Sequence, residues 1–227
     1  MQQFLYCYIK LYLLLFIYNK SEETNNANNK GNFDIERNIE VYQNRRQKYI
    51  DEGYCEYSCV RKGLVHDLLS AAAGLPAFAA IPVYIYFTGE IPAFETKYFL
   101  LCLFLLFITT PIHELLHAVG WTVSSKTDRK NIFIYIPSGL SDAYCHCGSP
   151  LRFFEYTIGS LLPLIIMSVV PAVISVLIHS TLLLYLSVFN AFGCGSDIIN
   201  SVIAFIHRDE IILDYPTDCG FTSYKKV

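Results

Sequence analysis

Long uncharged apolar stretches alternate with short polar segments along the chain, and this alternation predicts its architecture. Four stretches reach the length of about 20 residues that a helix needs to cross a hydrocarbon core. They run from about Leu64 to Phe87, Tyr98 to Gly120, Phe153 to Ile178 and Thr181 to Ile206. Pro76, Pro82, Pro163 and Pro171 fall inside them, where neighbouring helices and local rearrangement satisfy the freed carbonyls. The fourth stretch is interrupted by Gly193-Cys-Gly-Ser-Asp197. An earlier apolar stretch, Phe4 to Tyr18, is short and contains Lys10. It fits a marginal anchor, an atypical signal or an upstream extension, and the residues do not choose among these.

The polar segments carry less pattern. Residues 19–33 are Asn-rich without apolar periodicity and predict a flexible linker. Residues 34–62 scatter Ile35, Ile39, Val41, Tyr42 and Tyr49 among charges, which predicts a short helix against a membrane surface. Between the second and third stretches, NIFIYIPSG alternates apolar and polar positions up to Pro137 and Gly139, as a short strand of a hairpin does. The expected fold is an all-α membrane protein. It is a bundle of about four transmembrane helices with a small cytoplasmic loop or strand insertion between the second and third.

Composition agrees with this pattern. Hydrophobic residues make up 53% of the 227 and charged residues 16%, against about 25% charged in an ordinary soluble domain. The net charge of -3 implies no acidic or basic partner, and no basic stripe suggests nucleic acid. Lys and Arg collect before the first span, between the second and third, and after the fourth. The positive-inside rule puts those three regions in the cytoplasm and the second span's C-terminal end near that face. Of eight cysteines, Cys7, Cys102 and Cys194 lie in apolar stretches and the rest in polar regions on the expected cytoplasmic side, where thiols stay reduced.

The chemistry lies at the end of the second span, which reads His113-Glu-Leu-Leu-His117 directly after FLLCLFLLFITTPI. Residues four apart on a helix differ by about 400°, so both imidazoles leave one face, a turn apart. Glu114 is offset to the side, placed to act on water rather than to ligate. Two His ligands with a Glu general base are the HExxH division of labour around zinc. A five-residue pattern also arises by chance, but titratable groups at the end of a span are costly without a use. A catalytic zinc needs a third protein ligand. Asp197, among glycines in the fourth span, is the candidate; its alternative is a structural acid or one left in water.

Other polar groups read more plainly. His66 and Asp67 sit where an interface satisfies them. Cys145-His146-Cys147 is a second conceivable metal cluster, but adjacent ligands suit one tetrahedral ion poorly and no CxxC partner exists; Cys55 and Cys59 supply only an i, i+4 pair. Asn190 and Asn200 flank Asp197 and suit either a hydrogen bond to substrate or a ligand, or a helix–helix bond.

HELLH followed about 80 residues later by an intraspan Asp resembles the site-2 protease class of intramembrane metalloproteases, although Gly-Ser-Asp197-Ile replaces the usual Leu-Asp-Gly. Over about residues 60–224 the order of motifs is similar to the putative zincin peptidase family, a domain family of unknown function. The motifs are HExxH, AYCHCGSPL (Ala143–Leu151), Gly159-Ser-Leu-Leu-Pro163 with Pro171, Gly193-Cys-Gly-Ser-Asp197, and Asp214-Tyr-Pro216 with Gly220. The resemblance implies a membrane-embedded zinc metallopeptidase acting on a membrane or juxtamembrane protein or peptide. Its metal ligands are His113, His117 and Asp197, and its base is Glu114. A non-catalytic membrane zinc-binding or scaffold protein is the alternative. The chain then divides into an apolar segment (1–18), a polar, partly disordered cytoplasmic region (19–62), a transmembrane zinc-peptidase-like domain (63–210) and a tail (211–227).

Overall fold

A computed structural model describes residues 28–93, 95–125, 129–135 and 143–226. The apolar stretch Phe4–Tyr18, most of the expected linker, and Pro137 with Gly139 lie outside these residues.

The described chain is mostly helical with a small sheet and a separate hairpin. Three helical segments are long and apolar enough to cross a membrane: Gly63–Thr88, Thr96–Ser125 and Phe153–Leu177. A fourth forms if Thr181–Gly193 and Gly195–Ile206, bent by 49° at their junction, count as one. Their bounds follow the four apolar stretches closely.

Proline breaks two of them and is accommodated in a third. The first comprises α2 (Gly63–Gly74), a 3₁₀ turn at Leu75–Ala79 and α3 (Ala80–Thr88), the turn falling where Pro76 has no N–H to give. The second is the single helix α4 (Thr96–Ser125), with Pro111 two residues before His113. The third is α5 (Phe153–Leu164), a wider turn at Ile165–Val169 between Pro163 and Pro171, and α6 (Val170–Leu177). The last pair is α7 (Thr181–Gly193) and α8 (Gly195–Ile206). Side chains such as Leu100, Phe104, Phe107, Val173 and Leu177 face outward from these helices instead of filling an interior.

The polar parts gather at one end. Helix α1 (Asn28–Asp51) begins inside the expected linker and, at 24 residues, is longer than the short helix predicted. It lies on protein: Asn38 and Tyr42 are buried, and the Tyr42 hydroxyl is 2.6 Å from Thr222 Oγ1. Arg45 reaches the Gly148 carbonyl and Asn131 Oδ1. Strands β2 (Ile132–Tyr135) and β3 (Tyr144–Cys147) form the expected hairpin, with Ile132 opposite Cys147 and Tyr135 opposite Tyr144.

The all-α expectation is corrected by a three-stranded antiparallel sheet. Its strands are β1 (Tyr54–Ser58), β4 (Ile211–Asp214) and β5 (Phe221–Lys226), in the order β1-β5-β4. Tyr54 pairs with Lys226 and Asp214 with Phe221, so the expected tail is the sheet's centre and one edge. Two further hydrogen bonds extend the ladder, from the Cys59 N–H to the Phe221 carbonyl (2.9 Å) and from the Arg61 N–H to the Cys219 carbonyl (3.0 Å). Trp121, Cys147, Leu151, Tyr156, Ala204, Ile212 and Phe221 form the core that joins sheet, hairpin and helices.

Two helix crossings are tight enough to require glycine. A Cβ at Gly195 would lie 1.9 Å from the Ser70 carbonyl oxygen, where α8 crosses α2. A Cβ at Gly120 would lie 2.7 Å from Gly159 Cα, where α4 crosses α5. Gly195→Ala forces α8 off α2 and is expected to cost about 1–3 kcal/mol, the scale of overpacking in a close-packed site. Thermal unfolding checks this: a lowered midpoint is expected, and an unchanged one refutes the close crossing.

Candidate metal centre

His113 and His117 lie one turn apart on α4 and turn their Nε2 atoms to a common point, 3.0 Å from each other. Asp197 completes the group, with Oδ2 3.4 Å from His113 Nε2 and Oδ1 3.6 Å from His117 Nε2. Zinc held tetrahedrally at about 2.0–2.2 Å from N and O ligands requires those ligands to stand about 3.3–3.5 Å apart. The three separations are on that scale, with each Asp197 oxygen nearest a different imidazole. Among the described residues, this is the group of His, Cys, Asp and Glu side chains whose ligand atoms converge in this way.

The break between α7 and α8 brings Asp197 to the other two. Cys194 ends α7 outside helical geometry, and α8 restarts at Gly195, so Asp197 falls in a first turn. There the N-terminal end of the helix dipole favours a carboxylate. The Gly195 contact with Ser70 fixes where that turn begins. Asn190 turns back on its own helix, with Nδ2 donating to the Leu186 carbonyl at 2.9 Å.

His117 is oriented from behind. Its Nδ1 is 2.9 Å from the Gly159 carbonyl. A carbonyl only accepts, so Nδ1 carries the proton and Nε2 presents its lone pair to the group. Trp121, a further turn along α4, stacks on the His117 ring with centroids 5.5 Å apart and an interplanar angle of 21°. The Trp121 Nε1–H donates to the Tyr156 carbonyl at 3.3 Å. His113 Nδ1 has Cys194 Sγ at 4.0 Å. These outer groups settle ring orientation, as they do around most His-ligated metals.

The group stands in an open cleft of about 660 Å³ that Glu114 also lines. The Glu114 side chain takes a hydrogen bond from the Cys145 backbone, which ties it to β3. The opposite wall comes from Asp214 to Gly220, between β4 and β5. Only the Asp-Tyr-Pro and Gly of the family pattern marked that segment in advance, and nothing in its spacing announced a role beside the HELLH helix.

The remaining candidates separate cleanly. His66 and Asp67 do not line the cleft. His146 is 1% exposed and sits 3.0 Å from Asp214 Oδ2, the same oxygen that accepts the Cys147 N–H at 3.1 Å. That bond clamps β3 to β4. Burial pushes the Cys147 thiol up to about 12 and raises Cys145 further still, helped by the nearby Glu114 and Asp214 carboxylates. In the extended strand Cys145 and Cys147 leave the face opposite His146, and the three are not among the side chains whose ligand atoms converge. All described cysteines are free.

A Cβ at Gly159 would lie 2.0 Å from Trp121 Cδ1. Gly159→Ala should therefore drive the indole off His117 and retract the carbonyl that orients it. Zinc affinity is expected to fall about 10- to 100-fold, as for other losses behind a ligand, measured by competition with a chromophoric chelator. Wild-type affinity in that variant, with helix content unchanged, would show that the carbonyl does not orient the imidazole.

Residues 106–212 match the model of a family described as "Putative zincin peptidase". The match begins within α4 and ends within β4, so it contains both histidines, Glu114 and Asp197. No curated protein and no solved structure matches the chain.

Proposed function

From that match and the geometry within it, we propose that the chain is a membrane-embedded zinc metallopeptidase that hydrolyses peptide bonds of membrane or juxtamembrane segments. One observation carries the reading: the convergent group offers three ligands, His113, His117 and Asp197, and so leaves a tetrahedral ion one open position. A closed structural site would use all four.

A bound zinc ion supplies Lewis acidity and brings the pKa of a coordinated water to about 7. The chain's own residues do the rest. His113 and His117 present neutral imidazole lone pairs, and Asp197 contributes the anionic oxygen. Glu114, in the same cleft, takes the proton of the attacking water and delivers it to the departing amine nitrogen. Its hydrogen bond from the Cys145 backbone keeps the carboxylate beside the ligands instead of among them.

Membrane embedding rests on the three long apolar segments and the bent pair, whose large side chains point outward. Dispersed over water, that surface would be costly; in hydrocarbon it is at home. The polar elements support a sided arrangement. Helix α1, the hairpin and the sheet cluster where Arg45, Arg46, Lys48, Arg61 and Lys62 lie, which the positive-inside rule places in the cytoplasm. At the other end, the two short connections meet through Glu90 and His179, 3.0 Å apart. The cleft then opens near the cytoplasmic face.

A helical substrate hides its amides in intrahelical bonds and must unwind to be cut. Strand β3 runs along the cleft wall through Tyr144 and Cys145. On its edge away from β2 the N–H groups of Cys145 and Cys147 are taken by Glu114 and Asp214, so an unwound segment pairing there would donate to the strand's carbonyls.

Glu114→Gln tests this reading. The variant should retain one zinc per chain by metal analysis and lose cleavage of a juxtamembrane peptide by at least a hundredfold, in line with the scale of general-base catalysis. Undiminished cleavage removes Glu114 from the mechanism. Absence of zinc from the unaltered chain, even after supplementation, removes the metal centre itself.

A further inference from the structure

Hydrolysis of a peptide bond needs a donor besides the water activator. As water's oxygen bonds to the carbonyl carbon, the carbonyl π pair moves onto its own oxygen, which becomes anionic. When that pair returns, the C–N bond breaks and the nitrogen takes the proton held by Glu114. A hydrogen-bond donor aimed at the transient anion lowers the barrier directly. None of the ligands or Glu114 is free to serve.

Asn200 has the required placement. It lies on α8, three residues after Asp197, so it leaves a neighbouring face about 4.5 Å further along the axis. Both side chains line the cleft. Asn200 is only 6% exposed. Arg61 donates to Asn200 Oδ1 and, at 3.4 Å, to the Cys59 carbonyl. With Oδ1 committed, the two Nδ2–H donors have no partner among the described residues and remain for the cleft. A cation bonded to the amide oxygen also draws electron density from the nitrogen, strengthening those donors. The nearby Tyr156 hydroxyl is engaged with Ser160.

We propose that Asn200, polarised and oriented by Arg61, stabilises the oxyanion formed in the cleft; this rests on the peptidase reading given above. Asn200 is thus a catalytic residue and Arg61 a positioning residue. Arg61 belongs to the polar region before α2 and lies outside the family match, so that region contributes to the chemistry as well as to the fold.

The test uses the full chain in detergent micelles, loaded with Co(II), whose visible absorption reports what enters the open position. Two probes are titrated: a phosphonamidate dipeptide, which is tetrahedral and anionic, and 2-mercaptoethanol, which needs only the metal. Asn200→Asp keeps the side-chain volume and the oxygen that Arg61 grips, and replaces both donors by an acceptor. Asn200→Ala removes the donors without adding charge, and Arg61→Met leaves the amide ungripped. Cobalt content and mercaptoethanol affinity should stay at wild-type values in all three. Phosphonamidate affinity should fall at least tenfold in both Asn200 variants and by a smaller factor in Arg61→Met. Wild-type phosphonamidate affinity in Asn200→Ala overturns the proposal, as does loss of cobalt from both Asn200 variants, which would make the residue a support for Asp197. If the unaltered chain takes up no cobalt, the peptidase reading fails first and the oxyanion role falls with it.

Discussion

The approach of α4 to α5 at Gly120 and Gly159 governs how the rest of the centre is arranged. Nothing bulkier than hydrogen fits between the two backbones there. That closeness lets a main-chain carbonyl, which neither rotates nor titrates, take the proton of His117. A side-chain partner in the same role would add rotamer freedom and a pKa of its own. The stacked indole of Trp121 then restricts the ring about its remaining torsion. An imidazole held this way is preorganised, so a metal ion bound there would not have to order it.

The acidic member of the group, Asp197, is positioned by a different device. A continuous fourth helix would leave no first turn at Asp197 and no kink to aim it at α4. Breaking the helix at Cys194 exposes backbone groups that a span ordinarily hides. Beside the break, Gly195 seats directly against the α2 backbone. Helix α8 thus brings Asp197 and Asn200 to the cleft within a single turn.

The parts legible in the sequence were those whose physics is local. Span lengths follow from charge depletion, and the four apolar stretches reappear within a few residues of the observed helices. The i, i+4 histidines share a face on any helix. Asp197 stood out because a carboxylate among glycines in an apolar run is hard to explain otherwise. The sheet was not legible, because its pairing is long-range: FTSYKK is short and half polar, and its partner YCEYS lies more than 160 residues away. The same holds for Arg61, which looks like one of several flanking basic residues until β5 draws it in. Trp121 follows His117 by four residues, so its shared face was available to inspection, but an aromatic at that spacing more often fills a core.

The ladder that joins Cys59 and Arg61 to Cys219 and Phe221 also bears on the order of assembly. Every other contributor to the cleft precedes β5 along the chain, so during synthesis the HELLH helix, the bent pair and the hairpin emerge before the strand that seats the last wall. Until β5 slots between β1 and β4, the loop from Asp214 to Gly220 has no second anchor, and the guanidinium has nothing to hold it against α8. The cleft is therefore complete only once the last strand is in place.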